Sequence, residues 1–216
     1  MSPTPVVLFV NSKIISDTLS PELFRDWYEG VHIPDIFETS GIKSAFRYHT
    51  TTPGKVDRPY LALYPVADLE WLNSAEFKAI PVHSDMLPNE SKAIFELADF
   101  DTRYYVTIDT KAESGRQGPA KGVVVVQFDS SSEDPAKLYE ASTPVGTKPV
   151  RSRVLKLNFS RQNRNPDGEN KLSKPPAYLG IYEYDEVPEK LEPSAQGAIV
   201  KSFNLLKAFG DVNAVF

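Results

Sequence analysis

The residues of this chain whose types and spacing suit acid–base chemistry are three histidines, the tyrosines near them and one aspartate. His32 leads, because an imidazole with an ordinary pKa near 6.5 accepts and returns a proton around neutrality. Its plainer role is a helix-end histidine satisfied by a backbone carbonyl. Tyr28 lies one helical turn before His32 and can donate to a substrate carbonyl or a developing enolate, or else serve as core. Asp35 follows closely, placed either to orient the His32 ring or to cap the next turn. His49 ends a run whose alternate residues are Lys43, Ala45, Arg47 and His49, so a second imidazole stands at a strand margin. His83, in Pro81-Val-His-Ser-Asp85, belongs to a loop that can lie over a pocket as a lid or stay on the surface. Phe24, Trp27, Tyr60 and Tyr64 can wall a flat substrate, although aromatic stripes are commonly plain core.

The element that must position the leading group is Phe24-Arg-Asp-Trp-Tyr-Glu-Gly-Val-His-Ile-Pro34. Ser20 suits the N-cap and Pro21 the first helical position, where a missing N–H costs nothing. Phe24, Tyr28 and His32 recur at every fourth residue and so share one helix face. Pro34 cannot donate to the Gly30 carbonyl and clashes with it, which predicts a kink or stop near Val31–Ile33. A helix C-terminus there favours the imidazolium, while burial opposes it.

Bulk properties narrow the chemistry. The chain has 216 residues, 41% hydrophobic, enough for a substantial core without staples. It has no cysteine, which removes disulfides, thiolate metal sites and cysteine nucleophiles together. With 24 basic against 29 acidic residues the net charge is −5, which opposes binding to a phosphate backbone, so no nucleic-acid partner is expected. Val6-Val-Leu-Phe-Val10 lacks a basic lead-in and reads as a strand rather than a signal peptide. No segment approaches the roughly 20 apolar residues of a membrane span; no membrane partner and a cytoplasmic location are expected. No His/Asp cluster has metal-ligand spacing, and Gly115-Arg-Gln-Gly118 is not a phosphate loop, so neither metal nor cofactor is expected.

The chain repeats one plan with a period of about 118 residues, the spacing of Tyr60 and Tyr178. Pro59-Tyr-Leu-Ala-Leu-Tyr64 matches Ala177-Tyr-Leu-Gly-Ile-Tyr182, Val6–Val10 matches Val123–Gln127, and Ile42–His49 matches Val150–Leu157. Arg103–Ile108 closes the first copy as a strand, and Asp211–Phe216 is left to close the second. Helices are predicted over Asp68–Ile80 (with a break at Asn73-Ser74), Ser91–Ala98, Pro135–Pro144 and Ala195–Phe209, the last with Ile199, Phe203 and Leu206 on one stripe. Each copy reads strand–helix–strand–strand–helix–strand. The fold class is therefore α+β, with tandem ferredoxin-like repeats at 1–110 and 122–216 joined by a linker at 111–121. Arg161–Pro176 is predicted as a long mobile hairpin loop. All three histidines lie in the first half, so the site is expected there alone, with the second half a degenerate scaffold.

The pattern Phe24-x-x-Trp27-Tyr28-x-x-x-His32-x-Pro34, then a Gly41 turn and the strand ending Arg47-Tyr48-His49, resembles the dimeric α/β-barrel superfamily and its EthD-like branch. Residues 5–110 match the plan well and residues 122–216 in outline. The resemblance implies two ferredoxin-like sheets packed into a barrel, here a pseudo-dimer in one chain, with further homodimerisation left open. It also implies cofactor-free chemistry. The expectation is a lyase, cyclase, decarboxylase, dehydratase or isomerase acting on a polyketide-like aromatic or β-keto substrate. The alternatives are a cofactor-independent monooxygenase and a non-catalytic binding or stress protein. His32 would shuttle the proton, with Tyr28, His49 and Asp35 assisting and Phe24, Trp27, Tyr60, Tyr64 and His83 around the ligand.

Overall fold

The computed structural model describes residues 2–113, 116–163, 174–192 and 195–213. Its strands are β1 Val6–Ile14, β2 Ser44–Thr50, β3 Tyr60–Val66, β4 Ala98–Ala112, β5 Gly122–Phe128, β6 Arg151–Gln162, β7 Tyr178–Tyr184 and β8 Ile199–Gly210. They close into an antiparallel barrel in the order β1-β3-β2-β8-β5-β7-β6-β4. The first half contributes β4-β1-β3-β2 and the second β8-β5-β7-β6, the same order in each. The halves join along two seams, β2 on β8 and β4 on β6.

Alternation along the strands sorts side chains into three layers. The barrel interior has an apolar centre that draws on all eight strands, from Val7 and Phe9 on β1 to Phe203 on β8. Outside the first sheet, α1 (Pro21–Trp27), α2 (Ile33–Phe37) and α3 (Ala75–Lys78) cover a second apolar layer. Outside the second sheet, α4 (Pro135–Ser142) is the one helix among the described residues that covers a third. No helix is long and apolar enough to cross a membrane among the described residues.

Several expectations are corrected. Residues predicted as a helix at Ala195–Phe209 instead form β8, because its backbone groups find ladder partners on both β2 and β5 and so close the barrel. Asp211–Asn213 are not strand, and the rest of that expected strand lies outside the described residues. Ser91–Ala98 yields only a 3-10 turn at Ile94–Glu96 before β4 begins. The strand seen as Arg103–Ile108 runs the full Ala98–Ala112, so it takes the first residues of the expected linker. Most of the expected hairpin loop, and Gly115, lie outside the described residues.

Two strand matches between the halves also slip by one residue. Phe9 and Phe46 both oppose Leu63, while Val125 and Arg153 both oppose Ile181, so Phe9 corresponds to Val125 and Phe46 to Arg153. A one-residue slip exchanges the faces of a strand, and matching residue types cannot exclude it.

Candidate active site

Ser20 accepts a hydrogen bond from the Leu23 N–H, and Pro21 opens α1 as expected. Of the kink or stop expected near Val31–Ile33, the stop does not occur. Tyr28–His32 form a π-helical turn, in which the Ile33 N–H reaches the Tyr28 carbonyl, and the helix then continues to Phe37. The wider turn absorbs the proline, whose missing N–H and bulky ring an α-helical turn would not tolerate. His32 is therefore inside a continuous helical segment and not at a terminus.

A cavity of about 550 Å³ lies between these helices and the outer face of the first sheet. Its wall is mostly apolar, and that size suits a small-molecule ligand. Trp27, Tyr28, His32 and Tyr64 line it. The His32 ring stacks on Trp27 with centroids 4.9 Å apart and meets Tyr28 edge-on at 5.3 Å. Burial pulls its pKa from the ordinary 6.5 down to about 4, against a raising interaction with the Pro81 carbonyl. The imidazole is thus neutral at pH 7. Its Nδ1 is buried and has no hydrogen-bond partner, which leaves the other ring nitrogen to face Pro81.

Tyr28 Oη and Tyr64 Oη are 3.0 Å apart. Only one hydroxyl proton can lie between them, so among the described residues the second has no acceptor. Burial raises both pKa values, so both hydroxyls keep their protons at neutrality. Behind the pair sits Arg47, itself buried, with its guanidinium 4.3 Å from the Tyr28 ring centroid. Glu29 holds it at 2.9 Å and also receives Lys207 of β8 at 3.3 Å. The Arg47 charge favours negative charge at Tyr28, opposing the effect of burial.

The other expected site residues lie elsewhere. Phe24 is fully buried behind the cavity, packed on Trp27, Tyr28, Tyr60 and Phe100. Tyr60 and His49 face each other edge-on at 5.2 Å further along the sheet, and neither lines the cavity. Asp35 is half-buried on α2 and away from the lining, its carboxyl pKa raised by burial and by Glu38. His83 is exposed in a bridge to Ala93, while its neighbour Val82 reaches the wall. Among the described residues no group of three or more His, Asp or Glu side chains is placed to hold a metal ion.

No protein-family model matches the chain. Core atranone cluster (CAC) protein 1 of Stachybotrys chlorohalonatus (strain IBT 40285) is 28% identical over 205 residues, covering 87% of this chain and 85% of that protein. Among solved structures, an anthrone oxidase-like protein superposes with a TM-score of 0.52 at 13% identity, over 100% of this chain and 98% of that one. A candidate monooxygenase from Fusobacterium nucleatum gives 0.54 at 9% identity, over 100% and 99%. The two structural likenesses show the fold.

The sequence reading missed part of the wall. Phe77, Tyr104 and Phe100 come from the first half, but Asn158, Phe159 and Arg161 come from β6, so the second half also contributes to the wall. A β-bulge explains the last three. Tyr104 pairs with Phe159 and Tyr105 with Leu157, which leaves Asn158 as the extra residue. Before the bulge Leu155 and Leu157 face the barrel interior; after it Phe159 and Arg161 face the cavity. Phe159 then packs on Tyr104 with ring centroids 4.7 Å apart. The unbroken run Arg151–Gln162 was the only signal in the sequence, and it carried no information on the bulge.

Proposed function

We propose that this chain is a cofactor-free enzyme of aromatic polyketide metabolism that enolises its substrate in the His32 cavity. One observation carries the reading: a neutral imidazole and a tyrosine pair with one unused hydroxyl proton share an apolar cavity. His32 takes a proton from an acidic C–H that is next to a carbonyl or conjugated with it through a ring, as in anthrone. The Tyr28–Tyr64 pair donates its remaining proton to the oxygen where enolate charge develops, with Arg47 favouring that charge from behind. Trp27, Phe77 and Phe159 flank a flat ring. In this reading His49, Asp35, His83, Phe24 and Tyr60 make no direct contact with substrate.

The names of the similar proteins, an atranone-cluster protein and an anthrone oxidase-like protein, support a polycyclic aromatic substrate. The enolate then collapses by a lyase, cyclase or isomerase route, which needs only proton transfer and bond breaking or closure. The anthrone oxidase-like neighbour favours a second fate, cofactor-independent oxygenation. There the substrate carbanion reduces O2, and a CH2 becomes C=O with release of one water. We also assign the chain to the EthD-like branch, with ferredoxin-like units at 1–110 and 122–216. The His32-x-Pro34 helix and the strand order common to both halves support this.

Anthrone in D2O without oxygen tests the enolisation. The protein should accelerate deuterium exchange at the methylene carbon, followed by mass spectrometry. Exchange no faster than in buffer would leave a non-catalytic binding protein. Oxygen uptake on admitting air then separates the oxygenase from the lyase or cyclase.

A further inference from the structure

Among the described residues the cavity wall carries charge of one sign: no aspartate or glutamate lines it, whereas Lys78 and Arg161 both do. Lys78 ends α3, and Arg161 stands on the part of β6 that the Asn158 bulge turns outward. Every other arginine among the described residues is bound to a carboxylate: Arg25 to Asp26, Arg47 to Glu29, Arg58 to Asp99, Arg103 to Asp101, Arg116 to Asp185, and Arg151 and Arg153 to Glu183. Arg161 has no carboxylate or hydrogen-bond partner among the described residues. Its charge does reach the Tyr104 hydroxyl, where it opposes the rise in pKa that burial causes. A guanidinium beside an apolar cavity, next to the mutually tilted Tyr104 and Phe159 rings, offers a planar fork to an oxyanion.

We propose that Arg161, helped by Lys78, recognises an anionic group on the substrate, so that the cavity selects a planar aromatic carboxylate over its neutral counterpart. The carboxylate sits at the Arg161 border while the ring system lies inward toward Trp27 and His32. This inference rests on the reading of the cavity as an aromatic-ligand site. The bulge at Asn158 then has a specificity role, since without it Arg161 would face the barrel interior.

The test compares anthraquinone-2-carboxylate with the isosteric, neutral anthraquinone-2-carboxamide by isothermal titration calorimetry. The wild-type chain should bind the carboxylate roughly tenfold more tightly, as expected for a hydrogen bond between charged groups. In Arg161→Gln that preference should fall to about twofold or less, with carboxamide affinity unchanged, and added salt should reduce it in the wild type. Arg161 is exposed, so the variant should keep its far-ultraviolet circular dichroism spectrum. Equal binding of the two probes by the wild type, or an undiminished preference in Arg161→Gln and in Arg161→Gln/Lys78→Gln, would overturn the inference alone. Failure of both probes to bind the wild type would overturn the aromatic-cavity reading beneath it as well.

Discussion

The two helix–sheet layers of this barrel use one strand position in opposite ways. Tyr64 on β3 and Tyr182 on β7 both point outward toward a covering helix. Tyr182 Oη meets Ser142 Oγ at 2.6 Å, and Ser142 in turn donates to the Leu138 carbonyl at 2.6 Å. That network is closed, since Ser142 has spent its proton and Tyr182 must donate to Ser142. Gly180 lets it pack tightly; a Cβ there would meet the Tyr182 ring at 2.6 Å and Ser142 Oγ at 3.1 Å. Tyr64 instead meets another tyrosine, and the pair keeps a proton beside a cavity of about 550 Å³. The first half has Ala62 where the second has Gly180, and its longer helical segment carries the Trp27–His32 stack. Equivalent architecture thus yields a packed layer on one side and a candidate site on the other. What differs is whether polar groups are satisfied internally.

The largest expected effect breaks the comparison at its functional end. His32→Ala should lower turnover roughly 10²–10⁴-fold if the imidazole moves the proton, and steady-state kinetics on a folded variant reads this out. Unchanged turnover would remove His32 from the mechanism. Next, Tyr64→Phe deletes half of the hydroxyl pair and should cost on the order of 10²-fold in kcat. Tyr182→Phe should leave kcat alone and cost about 1 kcal/mol of stability, because Ser142 keeps its bond to Leu138. Equal kinetic losses in the two variants would erase the distinction between the layers.

The pH dependence separates the halves differently, since the second contains no histidine. With a folded pKa of about 4, His32 is unprotonated in the native state while the unfolded chain protonates it below about 6.5. Stability from this group is therefore complete above about pH 6.5 and declines as pH falls toward 4, by about 3 kcal/mol at most. Urea melts of the wild type and His32→Gln from pH 4 to 7 should diverge in slope over that window. Parallel curves would count against the buried, neutral imidazole. For the same reason kcat/KM should be flat from pH 5.5 to 8, with no inflection near the ordinary histidine value. A purely structural change is expected in the packed layer: Gly180→Ala should destabilise by about 1–3 kcal/mol through overpacking while leaving ligand binding unaltered.

Local signals carried the first half of the site. The cap at Ser20, the proline at helix position one and the four-residue spacing of Phe24, Tyr28 and His32 were legible because each depends on neighbours within two turns. The strand runs, and the match of Tyr60 and Tyr64 to Tyr178 and Tyr182, were legible from period-2 patterning. The same local logic misjudged Pro34, because a π turn is an escape that propensity does not announce. It also misjudged Ile199–Gly210, whose apolar residues fit a helical stripe as well as a strand until β2 and β5 offer ladder partners.

The sequence by itself determined which helix presents Tyr28 and His32 on one face and where the runs that become most of the strands lie. Tertiary structure alone decided which of the candidate side chains meet. It placed Phe24, Tyr60, His49, Asp35 and His83 off the cavity, set both strand matches one residue from where type-matching put them, and used a single bulged residue, Asn158, to bring Phe159 and Arg161 of the second half into the wall. The physical reason is that facing depends on parity and pairing. One extra or missing residue turns every later side chain to the other side of a sheet, and only closure of the barrel fixes that count.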